Sequence, residues 1–277
     1  MMEIFVYSFF KNALIGSLFA CIVCGIVGTY VVSRRLVFIS GGISHASFGG
    51  VGLGMFLNIS PSFMAFLFAA ASALGVQALS RGKEIREDSA IAVFWILGMA
   101  LGIMFSFLTP GYSGELSTYL FGNILTITTG DIILLAAIAL TLSLFTSVFF
   151  GAILATSFDR DHAASRNIPT AFIEGTMIVF VALAIVATLR LVGVVMVISL
   201  LTVPQMTAML FTNSYKKIIF ASIVIGYTTN VAGLLLSYWW DIPSGATIII
   251  CSIAFYSLCI IGKAVYRRCV KASCHPQ

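Results

Sequence analysis

A histidine stands in the middle of a stretch of small and apolar residues, Ser40-Gly41-Gly42-Ile43-Ser44-His45-Ala46-Ser47-Phe48-Gly49-Gly50-Val51-Gly52-Leu53-Gly54. Neutral imidazole is a good ligand for zinc and neighbouring transition metals. The glycines let another helix or backbone approach closely. Gly41, one helical turn before the histidine, and Ser44 beside it are candidates to line a path with His45. The same residues suit a packed histidine bonded to a neighbouring carbonyl, and residue types alone leave both readings open.

Two further stretches carry polar chemistry. Phe158-Asp159-Arg160-Asp161-His162-Ala163-Ala164-Ser165-Arg166-Asn167-Ile168 is short, mixed in charge and predicted helical, with Asp159 placed to cap its positive end. Such a segment can lie on a membrane and dock on a partner through Asp159, Arg160, Asp161, Ala163 and Arg166. An ordinary solvated turn has the same composition. The run from Leu191 to Ala208 contains Gly193 and Pro204. Pro204 frees a carbonyl one turn earlier and should kink or break a helix. Broken helices often line transport paths, and a packing kink fits the run equally well.

Other reactive residues read more plainly. Cys21 and Cys24 form a C-x-x-C, a spacing found in redox and metal sites, but they lie in an apolar run where cysteine serves as a small buried residue. Cys269, Cys274 and His275 stand in a basic tail read as a solvated terminus. Nothing resembles a P-loop, a G-x-S-x-G elbow or an H-E-x-x-H site. The chain is therefore not expected to be an enzyme, and a transporter of this composition needs an ion gradient or a separate ATPase.

The elements that must position these residues are set by composition. Charged residues make up 9% of the 277, against about 25% in a soluble domain. A chain this poor in charge cannot solvate its own surface, and its mean hydropathy of +1.08 makes lipid its natural solvent. The predicted fold is all-α, a polytopic transmembrane bundle of about 8–9 spans, because a crossing helix needs about 20 apolar residues. The candidates are Ala13–Val32, Val37–Leu57, Phe63–Leu79, Ala90–Leu108, Ile132–Thr156, Ala171–Leu189, Leu191–Phe211, Ile218–Trp239 and Ile242–Ile261. His45 is the one histidine inside any of them, and an ionisable residue within a span is costly enough to suggest function. Residues 1–262 are expected to form one transmembrane domain, with 158–168 as a short cytoplasmic segment, and 263–277 a basic tail. The first span is followed by Arg34 and Arg35 without a small-residue cleavage site, so no cleaved leader is expected.

The net charge of +5 is arranged for a membrane, not for nucleic acid. With nine spans, Arg34/Arg35, Arg81/Lys83/Arg86, Arg160/Arg166, Lys216/Lys217 and Lys263/Arg267/Arg268/Lys271 all fall on one side. Lys11 and Arg190 fall on the other, and Thr109 to Asp131 holds acids but neither lysine nor arginine. The positive-inside rule then places the N-terminus outside and the C-terminus in the cytoplasm. Trp239 and Trp240 sit where an outer aromatic belt would be.

Taken together, the blocks RRLVFISGGISHASFGGVGLG, EDSAIAVFWILGMALG, STYLFGNIL, FDRDHAASRNIP, LVGVVMVISLLTVPQMTAMLF and DIPSGATIII resemble, in order and over nearly the whole chain, the permease subunits of the zinc/manganese/iron ABC importer family of bacteria. The resemblance implies a second permease copy around a central path, two cytoplasmic ATPase subunits, and an extracellular or periplasmic metal-binding protein. It makes residues 158–168 the coupling segment and matches His45 to the intramembrane metal-site histidine. No cofactor is implied, since the metal is cargo.

The chain departs from that pattern at three positions. Many members carry an aspartate where Gly41 stands, their loop often reads F-G-D where this chain has Asn123, and glycine is common in place of Asn167. Two missing acids weaken the hard-ligand preference that suits manganese, so zinc is expected over manganese or iron. The competing expectations are a permease for iron chelates or vitamins and a gradient-driven metal transporter. The first needs a wide path and usually an extra span; the second needs buried acids on several spans, whereas only Glu174 lies within one.

Overall fold

In lipid, backbone N–H and C=O groups must be satisfied within the protein, which makes long apolar runs helical. The computed structural model describes residues 8–81, 85–109 and 127–273, which contain eleven helices and no strand: α1 (Ser8–Ser33), α2 (Val37–Phe56), α3 (Pro61–Arg81), α4 (Glu87–Leu108), α5 (Thr129–Val148), α6 (Phe150–Phe158), α7 (Arg160–Ser165), α8 (Thr170–Leu200), α9 (Val203–Met209), α10 (Tyr215–Trp240) and α11 (Ser244–Ser273). Eight helical segments among them are long and apolar enough to cross a membrane. The 20-residue α2 is a ninth helix of spanning length whose glycines and serines lower its hydropathy. Asn123, the STYLFGNIL block, Lys83, Cys274 and His275 lie outside the described residues.

Burial separates centre from periphery. The apolar window of α1 is 72% buried and that of the first part of α8 is 67% buried, whereas α11 is 11% buried. α1, α2 and α8 therefore form the middle. α4, α5 and α11 turn large apolar side chains outward, such as Phe107, Leu140 and Leu258, as lipid-facing helices do.

The corners are set by short-range chemistry. Arg35 and Asn58 have φ of 59° and 54°, and each ends its helix with a backbone bond from the following residue back to the last turn: Leu36 N–H to Val31 O at 2.8 Å, and Ile59 N–H to Gly54 O at 2.9 Å. This is the left-handed helix stop that satisfies otherwise orphan carbonyls. Thr128 and Asp131 form a reciprocal capping box at the start of α5.

Two predicted spans are interrupted. Ile132–Thr156 does not run as one helix: the backbone leaves helical values at Phe149 (φ −100°, ψ 19°) and restarts as α6. Phe149 packs there with Phe145 of α5 and Phe172 of α8, a tertiary contact that a hydropathy run does not register. Leu191–Phe211 is broken at both predicted signals. Gly193 takes φ 74°, ψ 167° inside α8, and the chain stops at Leu201–Thr202 so that Pro204 falls in the first turn of α9, where its missing N–H is harmless. The carbonyl one turn before Pro204 belongs to Leu200, and Gln205 Nε2 donates to it at 3.1 Å while also donating to Cys24 O at 2.8 Å. One buried amide thus repairs the break and ties α9 to α1.

Candidate functional site

His45 lies near the middle of α2, and close helix packing holds that helix in place. A side chain at Gly52 would run into the backbone of Gly102, one at Gly98 into the backbone of Ala46, and one at Gly102 would sit 2.6 Å from Phe48 O. α2 and α4 therefore touch backbone to backbone, a contact open only to small residues. On the opposite side, Gly54 approaches Pro61 of α3, where an added Cβ would meet Pro61 Cα at 2.8 Å.

That packing lays Trp95 of α4 flat on the imidazole of His45, with ring centroids 4.5 Å apart and planes 6° from parallel. Phe48, one turn on, lies 6.1 Å away. The His45 Nδ1 is buried and has no hydrogen-bond partner among the described residues. The packed alternative of a histidine bonded to a carbonyl is therefore not what Nδ1 does here. A Cβ at Gly41 would be 3.5 Å from Ile198 Cδ1 and 3.9 Å from Trp95 Cζ3, ordinary contacts. Gly41 thus faces a small space bordered by α4 and by the part of α8 beyond the Gly193 bend. Ser44 is buried and donates to Ser40 O at 2.6 Å, within its own helix. Among the described residues no three His, Cys, Asp or Glu side chains gather as a metal cluster. What α2 offers is one imidazole, stacked on Trp95, whose buried Nδ1 is left without a hydrogen bond among the described residues.

Cys21 and Cys24 are both buried in the core. Asn230 Nδ2 donates to Cys21 Sγ at 3.1 Å, so Cys21 packs α1 against α10.

The second predicted feature is a helix. Asp159 caps α7, its Oδ1 accepting from the His162 N–H at 2.9 Å. α7 ends on Asn167 at φ 58°, with Ile168 N–H bonded to Ala163 O at 3.2 Å and Asn167 N–H to Ala164 O at 3.0 Å. A left-handed residue is required here, and asparagine is the usual replacement for glycine in that role; the departure at Asn167 keeps the turn. Arg160, Asp161 and Arg166 are exposed, but Ala163 is fully buried. Ala163 anchors α7 to this chain, and the surface open to a partner is the face carrying Asp161, Ser165 and Arg166.

Sequence reasoning did not foresee two contacts. Trp95 was an apolar span residue with no polar signal marking its stack on His45. Glu174 reads in the sequence only as the one acid within a span. It is 3% exposed, with Oε1 2.8 Å from Arg34 Nη1 and Oε2 3.4 Å from Arg160 Nε.

This architecture has relatives. The chain is 37% identical over 256 residues to an uncharacterized membrane protein of Synechocystis, covering 92% of this chain and 91% of that one. It is 30% identical to a Listeria monocytogenes protein named manganese transport system membrane protein MntC, over 90% of this chain and 89% of that one. Among solved structures it superposes on a chain of PsaBC from Streptococcus pneumoniae with a TM-score of 0.82 and 29% identity, covering 94% and 95% of the two chains. The pattern of the ABC 3 transport family matches residues 6–263. This multi-pass membrane protein belongs to the ABC 3 transport family.

Proposed function

We propose that the chain is the membrane-spanning subunit of an ATP-driven importer of divalent transition metal ions. The observation that carries the reading is His45, a lone imidazole within the span-length α2 whose buried Nδ1 has no hydrogen-bond partner among the described residues. A transport site must bind weakly enough to release its cargo, and one imidazole per chain, met by its copy from a second permease, suits that need. Asp161 and Arg166 on α7 meet an ATPase subunit on the cytoplasmic side, and a binding protein delivers metal from outside. Glu174 favours this over a gradient-driven carrier, because two arginines already hold its carboxylate.

Manganese is the first cargo to test, since it is the metal in the name of the Listeria relative. The expectation of zinc gains nothing from the relatives and still rests on the acids missing at Gly41 and Asn123, the first of which leaves a soft imidazole without a hard oxygen one turn away. Uptake of manganese, zinc and iron in a strain lacking this permease, restored by the chain or by His45→Ala at equal membrane abundance, tests both points. The expected result is ATP-dependent uptake of one metal, severely reduced by His45→Ala. Unchanged uptake by that variant would mean that the metal passes elsewhere.

A further inference from the structure

Glu174 is an expensive residue to keep. Its carboxylate is buried near the start of α8, and burying a charge is tolerated only when partners compensate it. Here two guanidinium groups do so from different parts of the chain. Arg34, just past the end of α1, reaches Oε1 at 2.8 Å and also donates to Thr156 O of α6 at 2.7 Å. Arg160, the first residue of α7, reaches Oε2 at 3.4 Å.

The two arms differ. The Arg34 side chain is 22% exposed and makes two short bonds; the Arg160 side chain is 44% exposed and makes one longer contact. Arg160 is therefore the member able to let go, and Arg34 the one that stays. Arg34 is also stiffly joined to α2. The turn through Arg35 is locked by the bond from Leu36 to Val31, and α2 starts at Val37 and carries His45. Glu87, in the first turn of α4, lies within electrostatic reach of Arg34. The helices bearing His45 and Trp95 thus both begin beside the arginine that Glu174 holds.

We propose that Glu174 is a positioning residue that transmits movement of α7 to the α1–α2 corner, so that the Arg160–Glu174–Arg34 bridge couples ATP hydrolysis to opening of the path at His45. The inference rests on the reading of the chain as an ABC permease. A bridge of this kind qualifies as coupling when both ends bias an element with two arrangements. The releasable Arg160 contact supplies the second arrangement. With Arg160 withdrawn, one of the two charges compensating the buried carboxylate is lost, and Glu174 and Arg34, still bound to each other, can shift relative to α7 together with the corner that Arg34 carries.

The test uses the whole complex, the permease assembled with its ATPase in vesicles and supplied with the metal-loaded binding protein. Manganese and zinc chlorides are the probes, and ATP hydrolysis and metal uptake are measured on the same vesicles. Wild type without ATP-dependent uptake of either metal would sink the importer reading and this inference with it. With an active wild type, Glu174→Gln, at a residue buried away from the exposed face of α7, is expected to assemble and to hydrolyse ATP near the wild-type rate, and the gentler Arg160→Gln is expected to assemble. Metal carried per ATP should fall about tenfold in each, within the usual range of coupling between linked sites. The double variant should lose no more than either single one, because both break the same bridge. Arg160→Lys, which keeps the charge, should restore most of the coupling. Unchanged metal per ATP in both single variants would overturn the proposal. So would an Arg160→Gln complex that is normal in both measures while Glu174→Gln merely fails to assemble, since Glu174 would then support only the fold.

Discussion

Gly102→Ala adds a single methyl group at the contact that sets α4 against α2. The new carbon would sit 2.6 Å from Phe48 O and 2.8 Å from Phe48 C, whereas ordinary contact begins at 3.4 Å. The obstacle is backbone and cannot rotate aside, so the helices must part by roughly 1 Å, an overpacking that costs about 1–3 kcal/mol. Alanine's better helix propensity returns at most about 1 kcal/mol, leaving a net loss. The displacement matters more than the energy, because α4 carries the indole stacked on His45 at 4.5 Å. Misplacing a working group by about 1 Å can cost about 100-fold, and uptake is expected to fall by about tenfold or more. The assay pairs thermal unfolding of the purified permease with metal uptake at matched membrane abundance. Gly151→Ala is the control, since a Cβ there meets nothing within 4 Å; its Tm should hold or rise and its uptake should be unchanged. Wild-type Tm and uptake in Gly102→Ala would show that the α2–α4 backbone contact does not position His45.

Gly41→Asp should be accommodated, because its Cβ meets Ile198 and Trp95 at ordinary distances. It should raise the manganese-to-zinc uptake ratio by about tenfold, the low end of what one partner around a metal is worth; an unchanged ratio would remove Gly41 from the selectivity argument. Gly193→Ala should cost about 1–3 kcal/mol, since φ 74°, ψ 167° is a region open almost only to glycine. A lowered Tm with reduced uptake checks it, and a Tm equal to wild type would mean that the bend relaxes freely. A reporter fused after Lys271 should read cytoplasm and one inserted at Ser113 should read outside; the opposite pair of signals would invert the topology.

The sequence by itself determined the features that depend on neighbours along the chain. Long runs of small and apolar residues marked nine helical segments, including the glycine-rich α2, which is less apolar than the other eight. Local backbone chemistry placed the Asp159 cap and the break before Pro204. His45 stood out because an ionisable group in an apolar run is rare whatever it touches.

Only the tertiary structure decided which faces meet. In lipid, a helix face turned to a neighbour and one turned to acyl chains can be equally apolar, so periodicity does not separate them. Composition therefore could not show that Trp95 covers His45, that Ala163 points into the chain, or that the aromatic cluster around Phe149 interrupts a continuous apolar run. The Arg34–Glu174 pair joins residues 140 positions apart. The sequence marks them as an arginine in the group expected on the inner side and an acid within a span. That they neutralise one another, with Arg160 as the third member, depends on how α1, α7 and α8 pack, because a buried charge is stable only where folding brings its partners to it.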